Sequence, residues 1–72
     1  MPSWKELKRF CEKDGWDLYK QTDHWYYQKQ MPDGTVKRTK VSMSNKEIGY
    51  NLWREIRNKQ LQVTQDYFNK HI

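Results

Sequence analysis

Seventy-two residues suffice for one domain, and a single cysteine, Cys11, rules out a disulfide within the chain. Fourteen Lys and Arg against nine Asp and Glu leave a net charge of +5, a positive potential suited to a phosphate backbone, an acidic protein or an anionic surface. No apolar run approaches the roughly 20 residues of a membrane span and no signal-peptide core opens the chain, so a cytoplasmic protein with no membrane partner is expected, in keeping with its free thiol.

The chain opens on a helix signal. Ser3-Trp4-Lys5-Glu6 reads as a capping box, in which the Ser3 hydroxyl accepts from the amide of Glu6 and the Glu6 carboxylate reaches back. Trp4, Leu7, Phe10 and Cys11 recur at helical spacing as one buried face. Gly15 suits a left-handed helix end, so the first helix covers roughly residues 4–13. Cys11 lies on the apolar face and reads as a core thiol rather than a nucleophile.

Trp16 and Leu18 then alternate with Asp17 and Tyr19, the period-two pattern of a half-buried strand. Gln21-Thr22-Asp23 forms a tight turn into the aromatic run His24–Gln30, a second strand free of Gly and Pro. Pro32-Asp33-Gly34 supplies the next turn. A third strand from Thr35 to Met43 follows, with Thr39, Val41 and Met43 on its covered face and Arg38 and Lys40 turned away. Ser44-Asn45-Lys46-Glu47 is a second capping box, which opens a helix with Ile48, Gly49, Leu52, Trp53 and Ile56 as its buried stripe. Tyr50, Arg54 and Arg57 fall on the opposite side. Past Leu61 and Val63, Thr64 caps a short terminal helix whose Tyr67 and Phe68 pack back on the body. The expected class is α+β: an α-β-β-β-α order, a three-stranded antiparallel sheet with helices on one face and a short C-terminal helix.

Alternation along the second strand puts Trp25, Tyr27 and Lys29 on one face and His24, Tyr26 and Gln28 on the other. With Trp25 and Tyr27 under the helices, His24 and Tyr26 look outward and share the open face with Arg38 and Lys40. An imidazole, a phenol and two cations suit an RNA phosphodiester. Cleavage by the 2′-hydroxyl needs a base, an acid and positive charge for the developing phosphorane. Histidine suits proton transfer because an unperturbed imidazole titrates at about 6.5. The second proton-transfer group stays open among Tyr26, Lys29 and Lys40. The competing reading is an ordinary surface histidine. His71, at the extreme C-terminus, reads as a frayed-end residue.

One Cys and two distant His make no metal-ligand set, no glycine-rich phosphate loop occurs, and the carboxylates read as caps, turns and solvated positions. No metal or cofactor is expected. Lys37, Arg38 and Lys40 crowd three cations into one short strand, and Arg54 and Arg57 add a second basic stripe that also fits a plain solvated helix face. The candidate RNA-binding residues are therefore Tyr26, Lys29, Lys37, Arg38, Lys40, Arg54 and Arg57.

The segments from Glu6-Leu7 through Glu12-Lys13-Asp14-Gly15-Trp16, Asp23-His24-Trp25, the third strand, and Gly49-Tyr50-Asn51-Leu52-Trp53-Arg54-Glu55-Ile56 resemble the HicA family, small toxins of bacterial toxin–antitoxin pairs. The close, Asn58-Lys59-Gln60-Leu61 and then Thr64-Gln65-Asp66-Tyr67-Phe68, is similar to that family's ending. The likeness runs over nearly the whole chain, so residues 1–72 read as one HicA-like domain. It implies a double-stranded-RNA-binding-domain-like fold, an mRNA interferase activity, and a HicB-like antitoxin partner that covers the active site. The family's catalytic histidine sits in a Gly-Ser-His-like turn, and His24 stands in that place. Thr22-Asp23 replaces Gly-Ser, and Trp25 replaces a histidine that often follows. An acidic neighbour such as Asp23 both favours an imidazolium and repels phosphate. Two other classes fit the same residues: a non-catalytic double-stranded-RNA-binding module, and a protein-interaction domain with an acidic partner.

Overall fold

In the computed structural model, which describes residues 2–72, helix α1 (Trp4–Lys13) starts at the Ser3 cap. The Glu6 amide donates to Ser3 Oγ at 3.2 Å and the Ser3 amide to Glu6 Oε1 at 3.0 Å, so both halves of the capping box form. At the other end Gly15 takes φ +83°, which lets the Trp16 amide turn back onto the Cys11 carbonyl at 2.9 Å. That closure drives Trp16 into the core.

Three strands follow, β1 (Asp17–Gln21), β2 (His24–Gln30) and β3 (Val36–Ser42), as an antiparallel meander in the order β1-β2-β3. The β2–β3 register sets Trp25 opposite Val41, Tyr27 opposite Thr39 and Lys29 opposite Lys37, and these face the helices. His24 opposite Ser42, Tyr26 opposite Lys40 and Gln28 opposite Arg38 face away. Strand β1 departs from the expected alternation. Its register slips between Leu18 and Lys20, a bulge at Tyr19, and all five of its residues are exposed. Leu18, expected inward, lies on this uncovered edge.

The second helix also departs from expectation. Ser44 Oγ accepts from the Lys46 amide, a local turn rather than a helix cap. The backbone beyond it is engaged elsewhere: the Trp4 amide donates to the Lys46 carbonyl, the Ile48 amide donates to the Pro2 carbonyl, and Ser3 and Glu47 form an isolated antiparallel bridge. Pairing with the chain's start keeps residues 46–48 out of a helix, so helix α2 (Tyr50–Glu55) begins later, at Gly49, which makes no side-chain cap. Trp53 and Ile56 remain buried as expected, whereas Gly49, Leu52 and Met43 are exposed. A π-helical turn over Ile56–Leu61 continues α2 and ends at Gln62, a left-handed residue with φ 56°. Helix α3 (Gln65–Lys70) is capped by Thr64, whose hydroxyl accepts from the Tyr67 amide.

The core lies between the sheet and the helices. Leu7, Phe10 and Cys11 meet Tyr27 and Val41 of the sheet and Trp53, Ile56, Leu61 and Phe68 of the C-terminal half. Phe68 stacks on Phe10 with ring centroids 5.0 Å apart and meets Trp53 edge-on at 4.6 Å. Among the described residues no helix is long and apolar enough to cross a membrane. The α+β class, the sheet and the terminal helix agree with the order read from the sequence.

Candidate functional site

The face of the sheet away from the core gathers the chemistry. Strand alternation places His24 and Tyr26 side by side on β2, with ring centroids 6.3 Å apart. Tyr26 pairs across the ladder with Lys40 of β3, and Arg38 follows two residues before. Arg38 and Lys40 are exposed, and neither takes part in an ion pair among the described residues. The bulge in β1 adds groups that period-two reading does not bring here. Tyr19 approaches Tyr26 to 6.2 Å between centroids, and Lys20 Nζ stands 5.3 Å over the Tyr26 ring.

His24 is half-buried at one end of this face, in a pocket of about 250 Å³ lined also by Trp4, Lys40, Ser42 and Leu52. Its Nδ1 is shielded from solvent and has no hydrogen-bond partner among the described residues. Asp23 does not supply one. Its exposed carboxylate accepts from Thr22 Oγ1 at 3.0 Å, and that bond is the main reason its carboxyl sits below the usual range. Among the described residues, the site thus presents an imidazole whose Nδ1 has no protein partner, next to cations outside any ion pair, in a concave setting with Trp4 and Leu52 as apolar walls.

The other candidates lie elsewhere. Lys29 and Lys37 point to the helical side, where Lys29 Nζ is 3.0 Å from Asp14 Oδ2 and Lys37 Nζ donates to the Leu61 carbonyl at 2.9 Å. Both serve the fold and leave the open face. Arg54 rests over the Tyr50 ring at 6.0 Å, and Arg57 donates to Gln65 Oε1 at 3.1 Å. Neither joins the open-face group, which keeps His24, Tyr26, Arg38 and Lys40 of the residues singled out in the sequence. Trp4, Tyr19, Lys20, Ser42 and Leu52 are additions. Helical spacing puts Trp4 and Leu52 in buried stripes, whereas the structure sets both in the wall of the His24 pocket.

A second cluster corrects the reading of the carboxylates and of His71. The Asp14 side chain, 6% exposed, accepts from Trp16 Nε1, Lys29 Nζ and the Tyr67 hydroxyl. Burial alone pushes its carboxyl up, but these three hydrogen bonds and the Lys29 charge outweigh that and hold it below the ordinary 3.8. The same bond raises the Tyr67 phenol. His71 is not frayed: it stacks on Tyr67 at 4.3 Å, and its Nε2 lies 3.9 Å from Asp14. Cys11 is fully buried, and burial, with Asp14 and Glu12 adding to it, pushes its thiol up to about 12, which makes it inert.

Compared with protein-family models, curated proteins and solved structures, the chain matches none.

Proposed function

We propose that the chain is an endoribonuclease that cuts single RNA phosphodiesters on the open face of the sheet, with His24 as the proton-transfer group. The observation that carries this reading is the coincidence on one surface of His24, Tyr26, Lys40 and Arg38, with both cations free of ion pairs among the described residues. The 2′-hydroxyl attacks the adjacent phosphorus as its proton leaves to a base. The P–O5′ bond breaks as a proton returns to the leaving oxygen, giving a 2′,3′-cyclic phosphate and a 5′-hydroxyl. His24 takes one of these transfers and Tyr26 or Lys40 is placed for the other, while Arg38 and Lys40 stabilise the phosphorane charge. The sequence likeness to HicA toxins supports the same activity, and with it an mRNA substrate, a cytoplasmic setting and a HicB-like antitoxin that would silence the site by covering this face.

Purified protein incubated with a long mRNA should yield fragments with cyclic phosphate ends. His24→Ala should slow this by about 100-fold or more without shifting the melting temperature. Intact RNA with the wild type, or equal cutting by the variant, refutes the assignment. One observation favours a second reading, RNA binding without cleavage. Catalytic imidazoles are commonly oriented through their other nitrogen, and Nδ1 of His24 has no such partner. Salt-sensitive RNA binding with no fragments would select it.

A further inference from the structure

The open face carries more than the pocket at His24. Three concavities follow one another along β3, two on the open face and the third around the strand toward the helical side, where Lys37 lines it. The first, of about 250 Å³, has Trp4 and Leu52 as apolar walls beside His24. The second, of about 270 Å³, is bordered by Tyr19 and Tyr26. The third, of about 280 Å³, runs from Asp33, whose carboxylate accepts from the Thr35 amide and hydroxyl, past Lys37 to the π-helical turn at Lys59, Gln60 and Gln62. Their borders are shared. Lys40 lines both the first and the second, and Arg38 and Gln60 line both the second and the third. A cation therefore stands at each partition, and Lys59 stands in the third.

We propose that these concavities form one track for an extended, unpaired RNA segment of three nucleotides, whose first base sits between Trp4 and Leu52 beside His24. The proposal rests on the RNA reading of the His24 face and specifies the form of RNA it takes. Arg38 and Lys40 are two residues apart on a strand, a separation of roughly 7 Å, of the same order as that between successive phosphates of an extended single strand. The aromatic rings of the second concavity offer a stacking surface that accepts any base. The Gln62 carboxamide and the Gln60 side-chain amide, whose Oε1 accepts from the Thr39 hydroxyl at 2.7 Å, offer polar groups to a base edge in the third. A duplex cannot use this arrangement, because its bases are paired inward and only splayed bases enter separate dents. The second helix gives a duplex little to grip, since Arg54 lies over Tyr50 and Arg57 is bonded to Gln65.

The test uses fluorescence anisotropy with 2′-O-methyl oligoribonucleotides of one to six nucleotides, which the 2′-hydroxyl route cannot cut, and a perfect hairpin stem. Affinity should rise steeply to three nucleotides and then level, with the stem at least tenfold weaker. Leu52→Glu and Tyr19→Ala change exposed side chains and should each weaken the three-nucleotide probe about fivefold or more. Leu18→Ala, exposed but outside the track, should leave it unchanged; circular dichroism verifies folding of all three. Equal affinity for the stem, or indifference to both Leu52→Glu and Tyr19→Ala, overturns the track. If His24-dependent cleavage persists in that case, the nuclease reading stands without it. If binding follows the expected pattern and no natural RNA is cut, the track stands and the nuclease reading falls.

Discussion

Lys29 and Lys40 carry the same charge to opposite faces of the sheet, and this separates fold from function at single residues. Lys29 neutralises the nearly buried Asp14 carboxylate. Lys29→Met leaves that carboxylate without its cation and should cost about 1–3 kcal/mol in urea unfolding. Lys40→Ala, at an exposed and unpaired position, should stay within about 0.5 kcal/mol of the wild type yet reduce RNA cleavage markedly. The opposite pattern would move the site to the helical side. Asp14 also sets a pH response. Its folded-state carboxyl lies below its ordinary 3.8, so its contribution is fully present above that value and is lost as the pH falls through the folded-state one. Asp14→Asn should therefore be less stable than wild type at neutral pH, with the difference narrowing below about pH 4 in unfolding curves taken across that range. A difference constant down to pH 2 would contradict this. Sequence alternation predicts which way each lysine points, because pleat geometry is local. It does not reveal Asp14 as a hub, because the partners Lys29, Tyr67 and His71 arrive from distant parts of the chain.

Among the elements, α3 shows how little a short helix contributes alone. Six residues do not hold a helix in water; the Thr64 cap and the docking of Phe68 between Phe10 and Trp53 hold this one. Phe68→Ala should cost about 3–5 kcal/mol, enough to leave a domain of this size largely unfolded in thermal melts. Retention of most of the stability would mean that α3 is an appendage. The same contrast between local and distant determinants explains which elements were legible. The Ser3 cap, the Gly15 closure, the Pro32-Asp33-Gly34 turn and the Thr64 cap depend on neighbours in sequence, and all four form. The Ser44 box has an equally good local pattern and fails, because Pro2 and Trp4 bond the backbone of residues 46–48. The bulge at Tyr19 has no composition signal either, yet it accompanies the placing of Tyr19 and Lys20 beside Tyr26. The catalytic candidate was therefore visible in the sequence, and the groove around it was not.

At the scale of the whole molecule, the count of fourteen Lys and Arg overstates the cations that reach a ligand. Lys8 pairs with Glu12, Lys29 with Asp14, and Lys37 is bonded to a carbonyl. Along β3, Arg38 and Lys40 on the open face and Lys59 on the π-helical turn remain at the three concavities. Counterion release converts that number into a measurable slope. Each phosphate neutralised on a single strand contributes about −0.7 to the dependence of log affinity on log salt, so three contacts give about −2. If the charge of the whole surface acted together, every phosphate of a six-nucleotide strand would count and the slope would be roughly twice as steep. Titrations of a six-nucleotide single strand between about 50 and 200 mM salt, a range over which the effect is large, should give that shallow slope. Lys40→Ala and Lys59→Ala should each flatten it by about 0.7, whereas Lys29→Met should not. A slope that responds to Lys29 as strongly as to Lys40 would mean that charge spread over the entire surface, rather than the row along β3, holds the RNA.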